Sequence, residues 1–352
     1  MSEPLMLLKK PSYSVNSSLM EYLERFDRKS KVSISYDDLL RFSGSVNVYD
    51  AENQDSLWIR VYYTEFERAE IDLTLKKIYS LLHSDGNLSI IKFLNVDCID
   101  YCTFGNSKPF RVKVRNILND NYTHFYIKKA DASRIYGLEL EDILSPDKIN
   151  FLVFNDTLIE EHIIGIPGDV FIKKHLKKCT ETEKAQIAKE FVKFNERCMI
   201  RLLGDMRAYN YVIVPIHDFD QIVFKIRPID FDQQCYEGNF KVYRPQFFKE
   251  NYPMVQLVKG KLEESSIEQY KNEERAALAK RIHSAENRIE LLIEIMGNDS
   301  ISPEANLKQL KLELYGYTND LNFKRAKSMG NVMKAAFGFV TRNYKNTNAF
   351  DR

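Results

Sequence analysis

The stretch of sequence that decides the fold begins with GDMRAYN at residues 204–210 and ends with IDFD at residues 229–232. Two apolar runs lie between these motifs, YVIVPI at residues 211–216 and IVFKIRPI at residues 222–229, and the polar sequence HDFDQ joins the runs. Apolar runs rich in β-branched residues on either side of a polar turn predict a β-hairpin. Such a hairpin would bring the two ends of the stretch together.

The turn sequence at residues 217–221 nearly repeats the sequence IDFDQ at residues 229–233. Either Asp218 or Asp230 could therefore be the functional aspartate at the end of the hairpin. Only seven residues separate Asp218 from Asn210, which is too few for two strands and a turn. We therefore predict that the first copy is the hairpin tip and that Asp230, in the second copy, is the functional acid.

Helical spacing dominates the sequence on both sides of this hairpin. A long helix is predicted over residues 180–203, because Thr180 and Glu183 have the spacing of a capping box and an apolar stripe follows them. Beyond the hairpin the sequence is mostly helical, most clearly over residues 266–296, where Gly297 ends the pattern.

Strand-like spacing dominates upstream, from about residue 89. Apolar and polar residues alternate in one of these runs, and Asn/Asp-rich turns separate neighbouring runs as they do in hairpins. A predicted helix interrupts the strands, so the order is three strands, one helix and two strands. The predicted strands are residues 96–101, 110–116, 124–129, 149–154 and 158–165, and the predicted helix is residues 131–144.

The predicted fold class is therefore α+β, with a small antiparallel sheet and one helix followed by a larger helical part. Residues 1–88 have the pattern of a mainly helical extension, although WIRVYY at residues 58–63 has the composition of a strand. The predicted domains are this extension, a sheet-rich part at residues 89–166 and a helical part at residues 167–352.

The composition is that of an ordinary globular protein and narrows the possible partners. The chain has 51 basic and 50 acidic residues and a net charge of +1, which makes nucleic acid an unlikely partner. Its five cysteines form no Cys-x-x-Cys pair, as expected in a reducing compartment. No run approaches the roughly 20 apolar residues of a membrane span, and the start is too polar for a signal peptide. We expect a cytoplasmic protein without a membrane anchor.

The chemistry-bearing residues of the deciding stretch are Asp205, Asn210 and Asp230. A phosphoryl-transfer site needs positioned charge more than covalent chemistry, and an acidic residue can orient the attacking hydroxyl. Carboxylate and amide oxygens are the hard ligands that Mg²⁺ prefers. The alternative is a turn with two solvated carboxylates, because Asp and Asn are common in turns.

The spacing Asp-x-x-x-x-Asn, followed by a hairpin and Asp-Phe, resembles the protein-kinase-like superfamily, in particular the catalytic and metal-binding loops of phosphatidylinositol kinases and related atypical kinases. The resemblance implies a bilobal kinase-like fold that uses ATP and Mg²⁺. It implies that Asp205 is the catalytic or orienting acid and that Asn210 and Asp230 are metal ligands. Asp232, where a glycine is usual, would be a further metal ligand or an exposed charge.

The predicted strand at residues 124–129 resembles the kinase strand that carries the lysine for the ATP phosphates. The resemblance points to Lys128, with Lys129 as the alternative because a shift of one residue reverses the face of a strand. It also implies an ion-pair partner on the following helix, which would be Glu139 or Glu141.

Two further elements of the nucleotide site follow from the same resemblance. Gly105 lies in the turn TFGNSKP, where kinases place their glycine-rich loop. Residues 163–168, with Ile164 and Ile166, would form the hinge that binds adenine through its backbone.

The resemblance implies an ATP- and Mg²⁺-dependent phosphotransferase whose γ-phosphoryl acceptor is a hydroxyl group on a protein or small molecule. The chain departs from the kinase pattern in its single loop glycine and in Arg207, which replaces the histidine usual in the lipid-kinase loop. These departures favour an alternative, a catalytically silent pseudokinase that acts as a binding or scaffold module. A second alternative keeps the fold and transfers the nucleotidyl group instead.

Overall fold

A computed structural model describes residues 10–50, 52–105, 107–219, 221–346 and 349–350. The chain divides into two compact units. The sheet unit consists of residues Ser14–Asp131 and Ile149–His162. The helical unit consists of Ala132–Lys148 and the chain from Ile163 onward, together with the start of the chain.

The sheet unit contains one seven-stranded antiparallel sheet, in which the strands are ordered β1-β2-β3-β4-β5-β7-β6. One face of the sheet carries the core, because buried apolar residues alternate with more exposed polar ones along β4. The elements are α1 (Ser17–Arg25), α2 (Tyr36–Leu39), β1 (Gly44–Tyr49), β2 (Asp55–Tyr62), α3 (Glu65–His83), β3 (Leu94–Cys102), β4 (Phe110–Asn116), β5 (Tyr122–Lys129), β6 (Phe151–Phe154) and β7 (Thr157–Glu161).

The first 88 residues differ in part from the mainly helical extension that the sequence predicted. Their described residues, 10–50 and 52–88, contain three helices, but they also supply β1 and β2, the edge strand of the same sheet and its neighbour. The strand near residue 58 was expected, whereas β1 was not. Five of the six residues of β1 are exposed, and Gly44 and Asn47 have low strand propensity, so the segment lacks the alternation that marks a half-buried strand.

The helical unit holds most of the helices and a small sheet ordered β10-β9-β8. Its helices are α4 (Ala132–Leu144), α5 (Gly168–Val170), α6 (Glu181–Arg201), α7 (Tyr252–Lys261), α8 (Glu264–Ser284), α9 (Glu286–Gly297), α10 (Glu304–Thr318), α11 (Leu321–Arg325) and α12 (Met329–Asn343). Its strands are β8 (Ile166–Pro167), β9 (Tyr211–Asp218) and β10 (Gln221–Pro228). Short 3₁₀ or π turns lie at Leu88–Phe93 in the sheet unit and, in the helical unit, at Phe171–His175, Leu176–Lys178, Ala208–Asn210, Phe240–Tyr243, Pro245–Phe247 and Lys249–Asn251.

The predicted hairpin is confirmed, because β9 and β10 pair antiparallel from Tyr211 opposite Pro228 to Asp218 opposite Gln221. The HDFDQ sequence forms the tip, as predicted, although Asp220 lies outside the described residues. The predicted capping box of α6 is also present, since Thr180 N donates to Glu183 and Glu183 N donates to Thr180.

The long helix predicted over residues 266–296 is two helices, α8 and α9, separated at Ala285. Ala285 leaves the helical region, with φ −114° and ψ 23°. The local sequence contains neither proline nor glycine, so nothing in it marks the break. The predicted end of the helical pattern at Gly297 is confirmed.

The α+β class and the division into a sheet-rich and a helix-rich part are confirmed. Helix α4 groups with the helical unit, and twelve of its residues are buried, including Arg134, Glu139 and Glu141. Among the described residues no helix combines the length and the apolar character that crossing a bilayer requires.

The contact between α9 and α12 depends on a glycine. A β-carbon at Gly330 would come within 2.3 Å of the backbone nitrogen of Gly297. We expect Gly330→Ala to lower the free energy of unfolding by about 3 kcal/mol or more, because backbone cannot yield as a side chain does. Gly316→Ala is the matched control, since Gly316 lies in α10 with nothing within 4 Å, and it should stabilise by about 0.5–1 kcal/mol. Urea unfolding of both variants measures the difference, and equal midpoints would contradict the close packing.

Candidate functional site

The loop after α6 carries Asp205 and is fixed by the chain that follows β10. The backbone nitrogen of Gly204 donates to the carbonyl of Gln233 at 3.2 Å, and that of Asp205 donates to the carbonyl of Val242 at 3.2 Å. Asp205 itself has φ +57°, in the left-handed region. Non-glycine residues occupy this region at some cost, and such strain is often found at functional sites.

Asn210 ties the loop to the end of the hairpin. Its side-chain nitrogen donates to the carbonyl of Asp205 at 2.7 Å, and its own carbonyl accepts from Ile229 N at 3.0 Å. Asp230 is the next residue after Ile229, so the structure brings Asp205, Asn210 and Asp230 together within the helical unit.

The Asp205 carboxylate forms an ion pair with Arg207, whose Nε donates to Asp205 Oδ1 at 2.7 Å. Arg207 is held from its other side by Glu250, at 3.0 Å from Nη1 to Oε1. Burial raises the pKa of Asp205 to about 6, and the negative charges of Asp230 and Glu250 act in the same direction, whereas Arg207 opposes them. Asp205 can therefore exchange a proton near neutral pH.

Asp230 and Asp232 share an arginine that the sequence analysis did not single out. Arg134 of α4 donates through Nη2 to Asp230 Oδ1 and through Nε to Asp232 Oδ1, both at 2.6 Å. The Arg134 side chain is only 3% exposed, whereas those of Asp230 and Asp232 are 34% and 25% exposed. The neighbouring Ser133 hydroxyl donates to the carbonyl of Gln234 at 2.7 Å, which fastens α4 to the same segment.

Arg134 and Glu250 are the site residues that sequence reasoning missed. Arg134 lies 96 residues before Asp230, and Glu250 lies 43 residues after Arg207. Spacing rules apply within one element and carry no information across such separations. The only available signal was an arginine between the apolar residues of a helix, which can indicate a buried partner.

The oxygen donors of Asn210, Asp230 and Asp232 are of the type that Mg²⁺ prefers. The Asn210 side chain directs its nitrogen at Asp205, which leaves its oxygen for a ligand. The chemistry of the donor set therefore fits a divalent cation. However, Arg134 donates a hydrogen bond to one oxygen of each aspartate. The described residues also contain no group of three or more His, Cys, Asp or Glu that could hold a metal ion.

In the sheet unit, Lys128 is buried and forms an ion pair with Glu160, at 2.5 Å from Nζ to Oε2. Glu160 lies on the adjacent strand β7, diagonally across the same face, since Lys128 is opposite Leu158 and Tyr126 is opposite Glu160. The alternative, Lys129, is on the other face and exposed, 3.9 Å from Asp37. The structure therefore separates the two lysines by environment, and the phosphate-binding role of Lys128 stays a prediction.

The two glutamates of α4 that the sequence offered as partners of Lys128 pair with arginines of the helical unit, and their pairing with Lys128 stays a prediction. Glu139 accepts from Arg288 at 2.6 Å, and Glu141 accepts from Arg201. The sequence offered no way to choose these partners, because both arginines come from distant helices. Glu139 and Glu141 thus neutralise buried or half-buried arginines within the helical unit.

The other predicted nucleotide-site residues are Gly105, Ile164 and Ile166. Gly105 lies in the turn between β3 and β4 with φ +83°, a conformation that favours glycine. The side chain of Ile164 is largely exposed, whereas Ile166 lies in β8 and is paired with Ile213 of β9. Their roles in binding the nucleotide remain predictions.

Comparison with known proteins finds similarity to solved structures, one of which is described here. No protein-family model and no curated protein matches the chain. A solved structure of a Plasmodium vivax ethanolamine kinase is similar to it, with 13% sequence identity and a TM-score of 0.26 over 77% of this chain and 90% of that one. At this TM-score the likeness assigns no residue and no substrate. The assignments below depend on the geometry of the chain's own residues.

Proposed function

We propose that this chain is a kinase-like phosphotransferase that moves the γ-phosphoryl group of ATP to a hydroxyl acceptor. The observation that carries the proposal is Asp205, a carboxyl group with a pKa raised to about 6 on a loop that Asn210 joins to Asp230. The order of elements supports it, because strands β3–β5, helix α4 and strands β6 and β7 come before α6, the loop and the hairpin.

Asp205 would orient the acceptor hydroxyl and accept its proton as the oxygen attacks phosphorus. A general base works best when its pKa lies close to the working pH, and a pKa of about 6 leaves most of the carboxyl ionised at neutral pH. Arg207 fixes the direction of this carboxylate, and Glu250 fixes Arg207 in turn.

The metal and nucleotide ligands belong to the same proposal. Asn210 and Asp230 would hold Mg²⁺, with Asp232 as a further ligand, and the metal would supply charge neutralisation for the transferred phosphoryl group. Lys128 would bind the phosphates. Its pairing with Glu160 keeps the ammonium in one place on the sheet, as positioning of a phosphate requires.

A second candidate function is nucleotide binding without transfer, as in a pseudokinase scaffold. The observation that favours it is Arg134, whose guanidinium already forms ion pairs with Asp230 and Asp232. Nucleotidyl transfer is a third candidate. Incubation with ATP labelled at the α or γ phosphate separates the three outcomes: γ-label on an acceptor, α-label on an acceptor, or no transfer by a protein that binds ATP.

The nucleotide site is tested by thermal unfolding with and without ATP and Mg²⁺. A ligand present at 100 times its dissociation constant adds about 2.7 kcal/mol to stability, which is visible as a shift in the midpoint. We expect a Mg²⁺-dependent shift in the wild type that Asp230→Asn removes. Asp218→Asn in the near-repeat at the hairpin tip is the control and should keep the shift. No shift with any nucleotide, from folded wild-type protein, would contradict the proposal.

A further inference from the structure

Arg134 is placed where it controls access to the carboxylates that are the proposed metal ligands. Its guanidinium contacts Oδ1 of Asp230 and Oδ1 of Asp232 at 2.6 Å each, and it is almost completely buried. Asp230 Oδ1 also accepts from the backbone nitrogen of Asp232 at 3.1 Å. Three donors thus fix the orientation of two carboxylates at the end of the hairpin.

A guanidinium and a divalent cation compete for such oxygens. Mg²⁺ binds oxygen at about 2.0–2.1 Å with near-ideal octahedral geometry, so binding at Oδ1 of either aspartate would require displacement of the charged hydrogen bond from Arg134. The positive charge of Arg134 also repels the metal, because two cations bound to the same carboxylates lie only a few ångströms apart.

From these contacts we infer that Arg134 is an internal counter-ion that keeps the proposed metal ligands closed, and that a divalent cation binds only after the arginine releases them. The inference rests on the proposed function, because it describes the regulation of the same site. Arg134 is in this sense a positioning residue, since it acts on the carboxylates rather than on a substrate.

Helix α4 carries Arg134 and also contacts the segment that carries the two aspartates. Ser133, next to Arg134, donates to the carbonyls of Asp232 and Gln234. One turn further along α4, a β-carbon at Gly137 would lie 2.9 Å from Cβ of Phe231. The helix is therefore packed directly on residues 231–234, and only a displacement of α4 relative to this segment would move Arg134 away from the aspartates. Metal binding and the position of α4 are then coupled, and by linkage each biases the other.

The test is binding of Mn²⁺ in the absence of nucleotide, followed by the electron paramagnetic resonance signal of the free ion. Arg134→Met removes the charge and the donors but keeps much of the side chain's volume. We expect it to bind Mn²⁺ more tightly than the wild type by a factor on the order of ten or more, because a nearby positive charge is gone. Arg134→Lys keeps the charge without the fork and should lie between the two.

The matched control is Arg288→Met. Arg288 also bridges two carboxylates of α4, Glu139 at 2.6 Å and Asp142 at 3.2 Å, but these lie outside the proposed metal ligands. Its replacement should leave the Mn²⁺ affinity unchanged although stability falls. A purely structural role of Arg134 predicts weaker Mn²⁺ binding in Arg134→Met, which is the opposite of our expectation.

The possible results distinguish failure of the inference about Arg134 from failure of the proposed metal site. Unchanged or weaker Mn²⁺ binding in folded Arg134→Met, with a metal-dependent nucleotide shift in the wild type, overturns the inference and leaves the proposed function intact. If wild type, Arg134→Met and Arg134→Lys all bind no Mn²⁺, the inference and the metal part of the proposal are both wrong. If Arg134→Met does not unfold cooperatively, Arg134→Lys decides alone, and an affinity no higher than that of the wild type overturns the inference.

Discussion

Replacement of Asp205 by asparagine is expected to abolish phosphoryl transfer and, at pH 8, to make the protein more stable than the wild type. Most substitutions of buried residues destabilise a protein. This one should do the opposite, because burial and the charges of Asp230 and Glu250 disfavour the ionised carboxylate that transfer requires. Asparagine keeps the shape of the side chain without its charge.

The sign of the pH dependence follows from the direction of the pKa change. Asp205 has a pKa of about 6 in the folded protein and 3.8 as its ordinary value, so between these limits the folded state binds more protons than the unfolded one. Stability from this group is therefore greatest below about pH 4 and is lost as the pH rises through 6. The pKa in the folded protein is about two units above the ordinary value. At pH 8 the ionised carboxylate therefore lowers the free energy of unfolding by at most roughly 3 kcal/mol.

Asp205→Asn removes this destabilisation by the ionised carboxylate. The variant should therefore be more stable than the wild type at pH 8, and the difference in stability should shrink as the pH is lowered to 4. Urea unfolding at several pH values measures the stabilities, and γ-labelled ATP measures transfer, which should fall by about 10²–10⁴-fold if Asp205 is the general base. Asp218→Asn, an exposed aspartate in the near-repeat, should change neither quantity. A variant that is less stable than the wild type at pH 8, or that transfers phosphate at the wild-type rate, would contradict the assignment.

The parts of the fold around the candidate site that the sequence predicted correctly are those encoded by short-range patterns. The hairpin β9–β10 was visible because apolar runs flank a polar turn, and its length selected Asp230 over Asp218. The position of Asp205 followed from the capped helix α6 before it. In each case the deciding residues lie on one element or on two adjacent ones, where periodicity and spacing apply.

The parts that the sequence did not predict depend on partners far apart in the chain. Glu139 and Glu141 were both considered as partners of Lys128, because the sequence of a helix does not show which residue a glutamate on it will pair with. Residues two apart on a helix do not share a face, so the two glutamates point to different neighbours, Arg288 and Arg201. Which neighbours these are depends on how α4 packs among helices, and periodicity cannot supply that.

The same packing predicts the largest effect on stability. Arg201 and Glu141 form an ion pair in which both side chains are only 2% exposed. A buried ion pair adds little net stability compared with apolar residues of similar volume, but removal of one partner leaves a buried charge without compensation. We expect Glu141→Gln to lower the free energy of unfolding by about 3–5 kcal/mol, because Arg201 stays buried and positive.

Glu139→Gln provides the comparison within the same helix. Its partner Arg288 is 24% exposed and also contacts Asp142, so the remaining charge keeps both solvent and a second carboxylate. The cost should be clearly smaller, about 1–2 kcal/mol, as for loss of one charged hydrogen bond. Urea unfolding of the two variants at neutral pH compares them directly.

The double variant Glu141→Leu with Arg201→Met distinguishes the net stability that the ion pair contributes from the stability lost when only one partner is removed. Both charges are then gone and the volume is nearly kept, so most of the loss seen in Glu141→Gln should be recovered. If the double variant is as unstable as the single one, the pair is needed for the packing of α4 on α6 and not merely to neutralise Arg201. If Glu141→Gln costs less than Glu139→Gln, the burial of this pair does not govern its energy, and α4 is held mainly by its apolar residues.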